Sequence, residues 1–215
     1  MLFRSSFYGL RGIAFDSTGN LVVFDTNDSR VRKVTGGVVT TIAGTGTYGF
    51  TGDGGPATSA ELSYPWAGGY DGKGNLYVLD AYNNRVRMID TNGNISTVAG
   101  SGATGCGAGG YSGDGGPATS ATLNCPIGLD VDAAGDLFIS DYFNFVIRRV
   151  DGTTHVITTI VGTPGKPGYS GDGGPATSAT IAYADRVSVN GAGNLFISDS
   201  GNDVIRRVKD RKSVV

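Results

Sequence analysis

The chain has 215 residues, with 17 Lys and Arg against 19 Asp and Glu, a net charge of −2 and a sequence pI near 5.3. This balance gives no reason to expect nucleic acid or an anionic membrane as a partner, and no apolar run approaches the roughly 20 residues of a membrane span. Glycine is the outlier with 37 residues, but the glycines recur at fixed places among aliphatic and aromatic residues, which excludes a low-complexity chain.

One phrase returns four times along the chain: Gly-Asn/Asp-Leu, then Asp-x-x-Asn/Asp-x-x-Val/Ile-Arg. It starts at Gly19, Gly74, Gly135 and Gly193, so the steps are 55, 61 and 58 residues. A fixed long period predicts a repeat architecture. We expect the units at about residues 10–44, 65–100, 126–162 and 184–209.

The second unit illustrates the predicted elements. A short apolar run, residues 67–70, precedes a tight polar turn, and residues 76–80, 85–89 and 95–100 then follow as β-strands separated by turns. Four short strands joined by hairpin turns, with no long helical period, are typical of one blade of a β-propeller. The sequence therefore predicts an all-β protein: a β-propeller of four-stranded antiparallel blades, with three complete blades and a partial fourth.

These residues resemble the NHL-repeat family. The match rests on Gly-Asn-Leu-Tyr-Val-Leu-Asp at residues 74–80 and Asn-Asn-Arg-Val-Arg-Met-Ile at residues 83–89, together with the glycine-rich loops of the teneurin-type and bacterial secreted members. The resemblance covers nearly all of residues 10–208. It implies a propeller that usually closes with about six blades, so the remaining blades are expected partners of the four seen here.

Both ends of the chain look foreign to the repeats. Residues 1–5 and 210–215 match translations of common short-read sequencing adapters, so we exclude them from the fold. We expect residues 6–209 to be an internal piece of a longer reading frame. A natural start and tail is the alternative.

The repeated Asp-x-x-Asn/Asp-x-x-Val/Ile-Arg set has a structural and a functional interpretation. Side-chain bonds from Asp and Asn to the backbone would close the turn, and Arg would tie the hairpin by a charge-assisted bond. A ring of ligand-binding carboxylates is the alternative, but recurrence in every blade favours structure. The residues are Asp25, Asp28, Arg32, Asp80, Asn83, Arg87, Asp141, Asn144, Arg148, Asp199, Asn202 and Arg206.

Between the units lies the nonapeptide Gly-Asp-Gly-Gly-Pro-Ala-Thr-Ser-Ala, at residues 52–60, 113–121 and 171–179. Its aspartate is expected to accept backbone N–H bonds; the alternative is a Ca²⁺ ligand, although calcium prefers six to eight oxygens and each loop offers one carboxylate. No other cofactor or metal is predicted. The aromatic ring before each loop is a lid on the apolar interior or a platform for a sugar. These binding candidates are Asp53, Asp114, Asp172, Phe50, Tyr111 and Tyr169.

The two cysteines, Cys106 and Cys125, both lie in the longest of these connections. A disulfide between them would close a loop of about 20 residues and stabilise the fold by roughly 3 kcal/mol. Two buried free thiols are the alternative. No Cys-x-x-Cys spacing supports zinc. A disulfide would imply an exported protein, extracellular or at the cell surface.

The four strands of a blade alternate in direction, so every second connection lies on the same face of the propeller. This strand-parity argument places the connections between strands two and three, and those between blades, on one loop-rich face. Loop-rich faces of rigid scaffolds carry most binding sites. We therefore predict a non-enzymatic binding or scaffold propeller of an exported bacterial protein, with a protein, peptide or glycan partner. The alternative is a metal-dependent lyase or hydrolase of the NHL-like type with most catalytic residues in other blades, since His155 is the one histidine here. RNA binding is disfavoured by the net negative charge.

Overall fold

The computed structural model of the protein describes residues 6–209 and the backbone of residues 213–214. This part of the chain forms four antiparallel sheets of four strands each, with the strands of every sheet in chain order. Its helices are seven 3-10 turns of three residues, and none of them has the length or apolar character needed to cross a bilayer. The predicted all-β propeller architecture is confirmed.

The strands divide evenly among the blades. Blade 1 contains β1 (Gly12–Phe15), β2 (Leu21–Asp25), β3 (Arg30–Thr35) and β4 (Val38–Ala43). Blade 2 contains β5 (Pro65–Tyr70), β6 (Leu76–Asp80), β7 (Arg85–Ile89) and β8 (Ile95–Ala99). Blade 3 contains β9 (Pro126–Val131), β10 (Leu137–Asp141), β11 (Val146–Val150) and β12 (Ile157–Val161). Blade 4 contains β13 (Ala184–Val189), β14 (Leu195–Asp199), β15 (Val204–Lys209) and β16 (Ser213–Val214).

The last strand of blade 4 is only two residues long and lies within the terminal stretch 210–215. It pairs with the end of β15 through Val208↔Val214 and Lys209↔Ser213. The predictions made for residues 1–5 and 210–215 otherwise lie outside the described residues.

Successive blades contact each other through their first strands, β1 with β5, β5 with β9 and β9 with β13. These strands are the innermost ones and surround the centre of the arc. Three separate apolar clusters fill the spaces between neighbouring blades. Each cluster includes one fully buried residue that lies two positions after a nonapeptide: Leu62, Leu123 or Ile181. The nonapeptide connections thus deliver side chains to the core between two blades.

Each of the first two nonapeptides also covers a sheet edge. Gly54 N–H donates to the carbonyl of Ile95 in β8 (2.8 Å), and Ile95 N–H donates back to Gly55 (2.9 Å). Gly115 repeats the first of these bonds on Ile157 in β12 (2.8 Å). The loop leading into a blade therefore pairs with the outermost strand of that blade, and so occupies the backbone groups that would otherwise form an open edge.

Glycine is required where the loop folds back on itself. Gly52 has φ +89, and a Cβ built there would lie 2.7 Å from Ala60 Cα. Gly113 and Gly171 have the same φ range and the same close approach to the alanine that ends their nonapeptide. Any side chain at these positions would be strained by the backbone conformation and by the contact.

Candidate functional site

The repeated polar residues converge on a buried arginine. In blade 2, the Arg87 guanidinium lies 3.3 Å from Asp80 at the end of β6 and 2.7 Å from Asp53 of the nonapeptide. The side chains of Arg87 and Asp80 are fully buried, so each charge depends on the other for compensation. We call this arrangement the Asp–Arg–Asp buckle. It recurs as Asp141–Arg148–Asp114 in blade 3 and Asp199–Arg206–Asp172 in blade 4.

The strand-end aspartate of each buckle also organises the turn that follows. Asp80 accepts hydrogen bonds from Ser63 N–H (2.7 Å) and from the Asn83 amide (2.8 Å), and that amide donates to Gly49 O as well (2.7 Å). Burial raises the pKa of Asp80 to about 6, although these hydrogen bonds act to lower it. The equivalent Asp141 has its pKa raised by burial to about 7.

Blade 1 has an incomplete version of the buckle. Arg32 lies 3.6 Å from Asp25, and Asp25 accepts a hydrogen bond from Tyr8 N–H (2.7 Å), but no nonapeptide precedes this blade in the described residues. Asp28 replaces the asparagine of the other turns. Burial raises the pKa of Asp25, and one of its carboxyl oxygens has no hydrogen-bond partner among the described residues.

The aromatic residue before each nonapeptide lies on the arginine of the buckle. Arg87 lies 4.8 Å from the ring centroid of Phe50, and Arg148 lies 4.8 Å from that of Tyr111. The Tyr111 hydroxyl donates to Asp114 (2.8 Å). The rings thus cover the buckles from the solvent side. In blade 4 the pair is Arg206 and Tyr169, whose hydroxyl donates to Asp172.

The loop aspartates do not suit a calcium ion. Both oxygens of Asp114 already accept bonds, one from Arg148 (2.6 Å) and the other from Tyr111 and from Thr159 N–H (3.0 Å). Asp53 likewise accepts from Arg87 and from the Thr97 hydroxyl (2.7 Å). A cation would have to displace an arginine and would find a single carboxylate in each loop. In the described part of the chain, no group of three or more His, Cys, Asp or Glu residues is placed to hold a metal ion.

Cys106 and Cys125 form a disulfide across the connection between blades 2 and 3, with Cα atoms 4.5 Å apart. Buried Asn84 holds both ends of this connection. Its amide donates to Ala103 O (2.9 Å), and its oxygen accepts from Cys125 N–H (2.7 Å). The longest inserted loop is therefore fixed to the scaffold.

The disulfide borders a cavity of about 470 Å³ at the centre of the loop-rich face. We call it the central cavity. Four of its lining residues share one position in the blades, four residues before the residue that pairs with the Leu of Gly-Asn/Asp-Leu. In blades 2 to 4 this position lies in the innermost strand, and in blade 1 it directly precedes β1. The residues at this position are Arg11, Trp66, Ile127 and Asp185. The four blades thus supply four different side chains to one site.

Two arginines of the central cavity have no carboxylate partner among the described residues. The Arg186 guanidinium crosses from blade 4 to blade 1 and donates to Arg11 O (2.7 Å). Arg11 lies over the Trp66 ring, 4.9 Å from its centroid. Asp185, the carboxylate that lines the cavity, accepts a bond from the Ser200 hydroxyl (2.7 Å).

Aromatic rings flank the central cavity on two sides. On the side of blades 1 and 2, Tyr48, Tyr64 and Tyr82 stack in sequence with centroid distances of 5.1 and 4.3 Å. On the side of blades 3 and 4, Tyr142 and Tyr183 lie 5.2 Å apart. Tyr82 and Tyr142 also line the cavity. These residues lie in inter-blade loops and in turns between strands two and three, which agrees with the strand-parity argument for one shared face.

His155 lies elsewhere. It belongs to the β11–β12 turn and lines a cleft of about 360 Å³ between blades 2 and 3, together with Tyr77, Gly135 and Gly152. Gly135 and Gly152 belong to turns between strands one and two and between strands three and four, so the cleft lies towards the opposite face. The second nonapeptide extends there as well, since Ala118 N–H donates to His155 O (2.9 Å), so the strand-parity argument does not hold for the whole of this inter-blade connection.

Comparison with known proteins gives the following results. No protein-family model matches the chain. Teneurin-1 of Mus musculus is 31% identical over 109 residues, which are 48% of this chain and 4% of Teneurin-1. NHL repeat-containing protein 2 of Homo sapiens is 29% identical over 162 residues, which are 71% of this chain and 22% of that protein. These similarities support an NHL-type β-propeller fragment.

Solved structures share the fold of this propeller. A protein of unknown function from Bacteroides thetaiotaomicron has a TM-score of 0.71 and 21% identity, covering 97% of this chain and 48% of that one. An auxiliary nutrient binding protein of the same species has a TM-score of 0.62 and 17% identity, covering 91% and 46%. Streptogramin B lyase has a TM-score of 0.61 and 17% identity, covering 96% and 53%. The chain spans about half the length of these structures.

The sequence motifs do not predict the residues of the central cavity. A signal was present: when the repeats are aligned on their Gly-Asn/Asp-Leu turns, Arg11, Trp66, Ile127 and Asp185 fall in one column. Repetition is easy to detect in a single sequence, whereas a column that changes from blade to blade stands out only after the strands are in register.

Proposed function

We propose that this NHL propeller is a non-enzymatic binding scaffold of an exported bacterial protein, and that its loop-rich face holds a protein, peptide or glycan partner. The observation that carries the proposal is the central cavity. Here the four blades supply different side chains to one site, whereas the buckles repeat the same residues in blades 2 to 4. Its volume of about 470 Å³ is in the range of ligand pockets.

The rigidity of the surroundings supports binding without large rearrangement. The disulfide and the Asn84 bonds hold the longest loop at the rim of the cavity. A preformed site loses less conformational entropy when a ligand binds. The disulfide also favours an oxidising compartment and hence export. The fold shared with a bacterial nutrient binding protein agrees with this, although at 17% identity it concerns architecture alone.

Lyase or hydrolase chemistry has less support from the residues of this chain. His155 is its one histidine and lines a cleft away from the central cavity. The likeness to streptogramin B lyase at 17% identity again concerns architecture alone.

The test is a screen of the purified chain on printed glycan and peptide arrays, with two matched variants. Y82A/Y142A removes rings at the rim of the central cavity, and K73A removes an exposed lysine from the β5–β6 turn on the opposite face. We expect signals that Y82A/Y142A loses and K73A keeps, with the bound ligand unchanged in mass after incubation. Signals that only K73A loses, or ligand that is cleaved, would contradict the proposal.

A further inference from the structure

We infer that the central cavity binds a carboxylated glycan, one that carries uronic-acid units, through the guanidinium groups of Arg11 and Arg186. This inference rests on the proposed function and specifies the ligand of the same face. It follows from the charge of the cavity, the rings around it and the acceptors between them.

The charge of the cavity is the first step. The arginines of the buckles are all paired with aspartates, whereas Arg11 and Arg186 have no ion pair in the part of the chain that the structure describes. Both are exposed, and Arg186 is held in place by bonds to Arg11 O and Ile127 O (2.7 and 3.4 Å). A guanidinium has five N–H donors, so most remain available to an incoming carboxylate.

A second guanidinium close by strengthens the case for an anion. Arg11 also lines the cavity, and its guanidinium lies 4.9 Å from the Trp66 ring centroid, so a carboxylate in the cavity could form a bidentate bond with it. Asp185 is the only carboxylate that lines the cavity, so the described charges of the lining sum to one excess positive charge. One carboxylate of the ligand would neutralise this excess.

The rings and hydroxyls favour a sugar as the carrier of the carboxylate. Tyr82 and Tyr142 reach the cavity from opposite sides and present partly exposed rings, against which the C–H face of a pyranose can pack. Ser198 also lines the cavity, and the Asp185 carboxylate has accepting capacity beyond its bond from Ser200. Such groups suit the many hydroxyls of a glycan better than an apolar peptide side chain.

The experiment compares matched probes by calorimetry on the purified chain. The probes are trigalacturonate, its methyl ester, and a short peptide with a free carboxyl terminus beside the amide of the same peptide. The variants are R11Q/R186Q, the charge-preserving R11K/R186K, and R207Q as a control that removes an exposed arginine from β15, outside the cavity. Thermal unfolding of each variant checks that the fold is retained.

We expect trigalacturonate to bind at least tenfold more tightly than its methyl ester. R11Q/R186Q should weaken this binding at least tenfold, R11K/R186K should restore part of it, and R207Q should change it less than twofold. Raising the salt concentration should weaken it as well, because the contacts are ionic.

Three results would overturn the inference: equal binding of acid and ester, trigalacturonate binding that R11Q/R186Q does not change, or binding of the peptide acid without the uronate. Each of these leaves the proposed function standing, provided that Y82A/Y142A still abolishes the array signal. Loss of trigalacturonate binding together with an empty array would overturn both.

Discussion

The buckles and the central cavity both contain arginine and aspartate, but these residues have different partners in the two regions. In blades 2 to 4 each buckle places a buried arginine between two aspartates, with distances that repeat to within a few tenths of an ångström for the loop aspartate (2.7, 2.6 and 2.6 Å). In the central cavity, Arg11 and Arg186 contact a ring and carbonyls, and neither has a carboxylate partner in the described chain. The difference separates charges that hold the scaffold from charges that remain available to a ligand.

A repeat protein makes this separation visible. A structural role must be filled once per blade, so it selects the same residues at the same spacing in each unit. A single ligand has no such symmetry, and residues that contact it differ between blades. Substitutions in the two regions should therefore have different effects. Those in the buckles should lower the stability of the fold, and those in the central cavity should weaken ligand binding.

The largest expected effect is in a buckle. R148M would leave Asp141 buried without its cationic partner, and we expect the free energy of unfolding to fall by about 3–5 kcal/mol. Urea denaturation of the variant and of R207Q, whose arginine is exposed, provides the comparison. A loss below about 1 kcal/mol for R148M would mean that the buckle contributes little to the scaffold.

The disulfide should come next. The disulfide joins two cysteines that are 19 residues apart in the sequence, and C106S/C125S removes it. We expect the free energy of unfolding to fall by about 3 kcal/mol. Thiol titration of the denatured, unreduced protein checks the bond itself and should find no free thiol. Two titratable thiols would remove both this prediction and the argument for export.

The pH dependence of stability tests the buried carboxylates. Burial raises the pKa of Asp80 to about 6 and that of Asp141 to about 7, from an ordinary value of 3.8. The folded state then binds more protons than the unfolded state above about pH 4, so the free energy of unfolding should fall as the pH rises through these pKa values and level off above them.

Below about pH 4 the trend should reverse, because hydrogen bonds hold the pKa of Asp71 and Asp114 below the ordinary value and their protonation favours unfolding. Melting temperatures from pH 3 to 8 should therefore show a maximum near pH 4. D80N/D141N should flatten the decline between about pH 4 and 7 by more than half. An unchanged slope in that variant would assign the decline to other groups.

The smallest effect concerns the lid of one buckle. Y111F removes the hydroxyl that bonds Asp114 and Thr159 (both 2.8 Å) but keeps the ring over Arg148. We expect a loss of about 1 kcal/mol and no change in ligand binding. If Y111F instead weakened binding of trigalacturonate, the region of recognition would have to extend from the central cavity to the buckles.

The fold could be predicted from the sequence because the strand and turn pattern is repeated in each blade. Composition and turns predict strands at residues 76–80 and 85–89, and the structure has β6 and β7 there. The pairing of the nonapeptide with β8 could not be predicted from the sequence, since Gly54 and Ile95 are joined by a hydrogen bond between backbone atoms alone. Arg186 reaches Arg11 across 175 residues of sequence, and no local pattern records such a contact.

The nonapeptide also bears on how such propellers change in length. Because the loop between two blades closes the outer edge of the following blade, a unit that runs from one nonapeptide to the end of the next blade carries its own cover. A tandem duplication of one such unit, 55 to 61 residues by the spacing of Gly19, Gly74, Gly135 and Gly193, would insert a blade without creating a bare strand. The number of blades can then drift between descendants while the join between neighbours stays the same.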